Sequence, residues 1–306
     1  MTERGGSWSA TELTGKPACR GLRLPIAHGS CEFLDTIGTP LRGSAFAQVD
    51  AQYQWEAASD WARDYLSAGI EHLEFWADLT APLKFHPEAV VLHKLRPVQA
   101  LARAAVESAS QAVWMMDAKD AHSTALRHLC LILDDLEEER KALPPSEKHR
   151  MHAARAQLLE RVASTTSEEE IGRFRGYMDV VKEASAAAAR NGSRTGGISD
   201  PAEVERLWRS SAGTAHGKRW PLVALQISVA AGNSDRGRVQ RATMPDPQAI
   251  TKILKLADAV VTYGVVRFAT HSGYEPQLGQ ILREATERLL TVIPRIDDED
   301  ADTANG

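Results

Sequence analysis

The sequence predicts an all-α protein, a soluble multi-helix bundle with an irregular N-terminal arm and an acidic C-terminal tail. Three observations carry this. Ala, Leu, Arg and Glu dominate while aromatic residues make up only 6%. Long runs of Val, Ile and Thr, the signature of strands, are missing. Apolar residues recur at three- and four-residue intervals along most of the chain. With 43% hydrophobic and 25% charged residues, the 306-residue chain has the balance of a globular protein able to bury a core. Its length suits one large domain or two modest ones.

A formal charge of −5 and a pI near 6.1 argue against a broadly basic protein that coats nucleic acid, and leave local basic patches open. Cys19, Cys31 and Cys130 are too few and too scattered for a disulfide framework and suit a reducing compartment. No secretory leader pattern and no apolar run of roughly 18 residues is seen, so the expectation is a cytoplasmic chain without a membrane partner.

Element by element, residues 1–44 read as an irregular arm, because Gly and Pro punctuate them before any regular element can propagate. Residues 45–293 read as the helical domain. Phe46, Val49, Tyr53, Ala57, Trp61, Tyr65 and Ala68 mark one helix face up to Gly69, and a second helical stretch, Ile70 to Leu79, ends before Pro82. After Pro87 the chain resumes with Val90, Val91 and Leu95, and from Val98 to Met116 the apolar stripe is wide enough for a central, mostly buried helix, with Met115 and Met116 in the core. Ala121 to Leu143 turns Leu126, Leu129, Leu133 and Leu136 inward and ends in a charge run from Asp134 to Lys141, read as a solvated helix end. Pro144 and Pro145 break the chain before a helix from Ser146 to Val162. Thr166 or Ser167 begins a segment through Ala189, with Glu168, Glu169 and Glu170 complementing the helix dipole. Residues 191–199, holding Gly192, Gly196 and Gly197, are a candidate internal boundary. Further helices are expected at about Pro201–His216, Pro221–Ala231, Pro247–Thr270 and Pro276–Ile293, with a Gly-containing loop from Gly232 to Thr243. Residues 294–306 form the acidic tail, read as disordered.

The stretch from Ser199 to Gly217 is the most informative. Asp200 suits the N-cap, Pro201 the first helical position, and Glu203 a capping-box-like role. Gly217 suits a left-handed cap, which places His216 in the final turn. Arg209 and His216 are seven positions apart, within roughly 20° of one helical face and about two turns apart. A guanidinium there can hold a phosphate through paired hydrogen bonds, and an imidazole exchanges protons near neutral pH. Metal-independent RNA cleavage needs that combination: one group to move the ribose 2′-hydroxyl proton and one to stabilise charge on the phosphate. The same pair also reads as plain helix chemistry, an arginine beside a terminal histidine that meets helix carbonyls.

The Arg209-x6-His216 pattern resembles the arginine-to-histidine motif of the HEPN superfamily, and the stretch Leu101 to Ala109, with Arg103 and Glu107, is similar to the central helix of uncharacterised bacterial HEPN-like proteins. The likeness spans about Leu95 to Gly217. It implies a helical bundle that forms a homodimer, whose motif helices build one composite site. Arg209 then binds phosphate and His216 transfers protons, in an endoribonuclease of a toxin–antitoxin or antiviral defence system that needs no cofactor and no metal. Ser210 follows Arg209 where the family often carries Asn, Asp or His. The alternative is a non-catalytic scaffold that binds RNA, a nucleotide or a protein partner through its amphipathic faces.

Around this motif, Lys218, Arg219, Arg236, Arg238 and Arg241 are candidate contacts to phosphate or nucleic acid, and Trp220 can stack on a base or sit in the core. Arg103 and Glu107, at i and i+4, pair within their helix or support the site from a neighbouring one. Cys19, His28 and Cys31 lack a fourth zinc ligand, and His149 and His152 lack an acidic third. Gly213 to Lys218 is too short for a phosphate loop.

Overall fold

A computed structural model describes residues 30, 33–80, 94–191, 198–233, 239–280, 282–284 and 287. Most of the expected arm, the Gly192–Gly197 loop, the acidic tail, Arg236, Arg238 and the Cys19/His28/Cys31 trio lie outside these residues. The elements are helices α1 (Ala45–Asp50), α2 (Ala58–Thr80), α3 (Leu95–Met116), α4 (Ala121–Ala142), α5 (Lys148–Val162), α6 (Glu168–Ile171), α7 (Tyr177–Asn191), α8 (Pro201–Ala215) and α9 (Arg219–Ala224). Strands β1 (Gln226–Asn233) and β2 (Val239–Pro245), helix α10 (Pro247–His271) and a 3₁₀ turn at Glu275–Gln277 follow.

Helix α3 is the axis. Fourteen of its 22 residues are buried, and α2, α4, α7, α8 and α10 all pack on it. Helices on both sides of residues 192–197 thus share one neighbour. The closest approaches rest on small residues. A Cβ on Gly69 of α2 would lie 3.2 Å from the Ala105 carbonyl oxygen and 3.3 Å from Ala109 Cβ. One on Gly264 of α10 would lie 2.6 Å from Leu66 Cδ2 and 3.1 Å from Val113 Cγ2. Gly69 therefore does not end a helix, as its sequence context suggested; α2 runs through it because the helix needs a missing side chain there.

The break comes earlier instead. The expected helix from Ser44 is interrupted over residues 51–57, where Asp50 accepts hydrogen bonds from the Ser59 amide (3.1 Å) and hydroxyl (2.6 Å) and so caps α2 from across the turn. The segment from Ser167 also divides. Ser167 and Glu170 form a reciprocal capping box that opens α6, but Gly172 (φ +73°) and Gly176 (φ +91°) adopt conformations that end it and re-aim the chain into α7.

The expected helix Pro221–Ala231 and loop Gly232–Thr243 are replaced by α9 and an antiparallel β1–β2 ribbon, the one departure from an all-helical architecture among the described residues. Gln226, Ile227, Ser228 and Val229 alternate polar and apolar residues, the period of a strand, and Ile227, Ser228 and Val229 register with Met244, Thr243 and Ala242. A bulge lies between Ala230 and Gly232.

Part of the presumed arm is structured as well. Residues 33–36 make a helical turn, and Phe33, Leu34 and Ile37 enter the core. One guanidinium explains how: Arg63 donates to the carbonyls of Leu34 (2.8 Å), Ile37 (2.5 Å) and Gly38 (3.1 Å), tying the turn and the residues that leave it to α2. The following residues meet the far end of α10, where the Leu41 amide donates to Ser272 O (2.9 Å) and the Tyr274 hydroxyl to Thr39 O (3.3 Å).

Two histidines are buried beneath this segment. His128 is 1% exposed, edge-on to Tyr53 (6.3 Å) and Trp61 (5.7 Å), with no hydrogen-bond partner for Nε2. His271 is 9% exposed, edge-on to Phe46 (5.5 Å), with Nδ1 3.0 Å from Arg267 O. Burial pushes both imidazoles down to about 4, with the Arg267 charge adding to the effect at His271.

Two expectations follow from the packing and the burial. Gly264→Ala should lower stability by about 1–3 kcal/mol in urea unfolding, because crowding against Leu66 and Val113 outweighs the ~1 kcal/mol that alanine gains in an open helix. Gly279→Ala, with nothing within 4 Å of its Cβ, should not destabilise. Stability should also fall as pH drops from about 6.5 toward 4, since the unfolded chain takes up protons there that the folded one refuses. Replacing His128 with Phe should flatten that slope in unfolding curves measured from pH 7.5 to 4.5.

Candidate functional site

Helix α8 carries the candidate pair. Asp200 accepts from the Ala202 amide (3.1 Å) and Pro201 occupies the first turn, as read from the sequence. Glu203 does not complete a capping box. Its carboxylate pairs with Arg206 (2.7 Å) and Lys252 of α10 (3.4 Å), and the Arg206 bond holds its pKa below the ordinary glutamate range. The inner face of α8 is lined by Val204, Leu207 and the buried hydroxyls of Ser210, Ser211 and Thr214, each bonded to the carbonyl one turn back. Ser210, next to Arg209, is thus a packing residue, and Ser211 lies 2.6 Å from Gln99 of α3.

The helix closes in a Schellman motif. The Lys218 amide donates to Gly213 O (2.8 Å), the Gly217 amide donates to Thr214 O (3.1 Å), and Gly217 takes φ +69°. His216 is the C-cap, one residue beyond the last turn, and is exposed. Gly213 does not loosen the helix. A Cβ there would lie 2.7 Å from Pro221 Cγ and 3.3 Å from the Trp220 ring, so the glycine seats the start of α9 against α8.

Arg209 and His216 therefore share a face, separated by about 10 Å along the axis. Within one chain they are not brought together. Arg209 is 59% exposed and turns one turn back to Glu205 (2.8 Å), which also binds Lys182 of α7. Lys218, Arg219 and Trp220 follow His216, all exposed, Trp220 at 51%. Arg241 stands on β2, across from Ala230.

Arg103 and Glu107 of α3 form their expected intrahelical pair (2.8 Å) and do more. The Trp208 indole donates to Glu107 Oε1 (2.7 Å), and the Arg103 guanidinium lies 4.9 Å over the Trp208 ring. This trio ties α8 to the axis through the residue that precedes Arg209.

A second feature escaped the sequence reading. The charge run at the end of α4 does not simply face solvent. Cys130, Leu133, Asp134, Glu137 and Arg140 line one wall of a cleft of about 1090 Å³, opposite Met151, His152 and Arg155 of α5 and the α6 turn from Glu168 to Phe174. The spacing 130, 133, 134, 137, 140 is itself one helical face, a signal that the run of charges masks. Arg140 grips Glu137 with two nitrogens (2.6 and 2.7 Å), holding that carboxyl down at about 2, and Arg155 pairs with Glu168. Burial pushes the Cys130 thiol up to about 11, and burial followed by Asp134 raises the Tyr177 phenol.

Among the described residues no three His, Cys, Asp or Glu side chains gather as a metal site; His149 binds the Ser146 carbonyl instead (2.8 Å). No described helix is long and apolar enough to cross a membrane. Glu107→Ala, which strands the Trp208 N–H and the Arg103 charge, should cost about 1–3 kcal/mol in chemical denaturation. Glu107→Gln should recover part of the loss, because its carbonyl still accepts from the indole.

Set beside known proteins, the chain matches no family model, no curated protein and no solved structure, so its site is read from its own geometry.

Proposed function

We propose that this chain is a HEPN-like, metal-independent endoribonuclease that engages single-stranded RNA at the α8–α9 corner. The reading is carried by one observation: His216, Lys218, Arg219 and Trp220 follow one another at the end of α8 and are all exposed. An imidazole for proton transfer, two cations for backbone phosphates and a ring for stacking stand together there. Because Arg209 and His216 lie about two turns apart in one chain, the reacting phosphate is shared between the His216 of one copy and an Arg209 of a second, in a homodimer. The Arg209–Glu205 pair is no obstacle: an exposed i, i+4 ion pair is weak and screened by solvent, and a phosphate competes for the guanidinium. On this reading the protein serves a toxin or antiviral defence system.

The link from Arg209 through Glu205 to Lys182 favours a second reading, in which the arginine is structural and the corner binds RNA or a nucleotide without cleaving it. Labelled single-stranded RNA in chelator separates the two. Wild type should cleave, His216→Ala should cleave at least 100-fold more slowly with binding retained, and the Lys218→Ala/Arg219→Ala double variant should bind weakly and with a shallower salt dependence. Binding without cleavage by the wild type supports the second reading, and neither binding nor cleavage overturns both.

A further inference from the structure

We propose that the cleft between α4, α5 and the α6 turn binds a zwitterionic amino compound, a free amino acid or a short peptide, with its ammonium group on Asp134 and its carboxylate on Arg173. The case rests on which charges in the cleft are already used. Glu137 is closed by Arg140 and Glu168 by Arg155, so these four groups form its frame. Asp134, Glu169 and Arg173 are left over, none with an ion-pair partner among the described residues; Glu169 is exposed, so Asp134 is the unpaired carboxylate that the cleft partly encloses.

Asp134 is half-buried beside the apolar Leu133 and Phe174 and receives no hydrogen bond from the described residues. A carboxylate with no protein donor is open to a charge-assisted hydrogen bond from a ligand ammonium. Its environment agrees: burial first, and then Glu138, lift its carboxyl above the ordinary aspartate range, and the opposing Lys141 is already bonded to Glu138 (2.6 Å). Another cation is what the site lacks. Arg173 is exposed at the rim, placed by Gly172, whose φ of +73° turns the chain out of α6. Leu133, Met151 and Phe174 of the same lining offer an apolar surface for the ligand's side chain. The cleft, at about 1090 Å³, is slightly larger than the ~300–1,000 Å³ common for small-molecule pockets, room enough for either source of the same chemistry.

Calorimetric titration of the full chain tests this, using leucine and the tripeptide Gly-Leu-Gly with free, N-acetylated and C-amidated ends. At least one free compound should bind. N-acetylation should weaken binding at least tenfold in the wild type and little in Asp134→Asn, and C-amidation should do the same in the wild type and little in Arg173→Gln. The better of the two free compounds identifies the source. No heat with either, equal binding of blocked and free forms, or wild-type affinity in both variants overturns the proposal. The RNA assay is read independently, since neither residue belongs to the α8–α9 corner.

Discussion

Helices α2, α3 and α10 meet closely only because two of them present glycine at the crossing. A Cβ on Gly264 would collide with Leu66 Cδ2 at 2.6 Å, and one on Gly69 would sit tightly against Ala105 and Ala109 at 3.2 and 3.3 Å. Everything else is arranged around that contact. The alanine-rich stripe of α3 is the matching surface, and its remaining sides are left for α4, α7 and α8.

This arrangement explains why α8 can present a functional face. Its inner side is held by packing, by the Ser211–Gln99 contact and by the Glu107–Trp208 hydrogen bond, so its outer side needs no partner for stability. The Schellman turn and the seat that Gly213 provides for α9 then set His216, Lys218, Arg219 and Trp220 in the open. The buried side fixes the position of the helix, and the exposed side is left free.

Much of this was legible in the residues. The boundaries of α4 and α5 follow within about two residues from periodicity and proline breaks, those of α8 from its caps, and the buried Met115 and Met116 from the width of the α3 stripe. Where the reading erred, non-local forces had overridden local ones. Gly69 looks like a stop and is a close approach, because its reason lies on α3. Residues 33–38 look like an arm and are structured, because Arg63 reaches back some 25 to 29 positions to satisfy their carbonyls. The β1 alternation was present but short, and the helix-favouring residues before it drew the boundary too far. At the candidate site, the Arg209–His216 spacing could be read, whereas the direction of the guanidinium could not, since Glu205 and Lys182 decide it. The cleft was hidden because a charged stripe looks the same from sequence whether it meets water or another helix.

The contact between Tyr274 and Thr39 joins positions 235 residues apart. During synthesis from the N-terminus, the segment holding Phe33, Leu34 and Phe46 leaves the ribosome long before the end of α10 exists to receive it. These apolar side chains must wait, exposed, for nearly the whole domain to emerge, so closure of the ring is a late step and the nascent chain's period of greatest vulnerability.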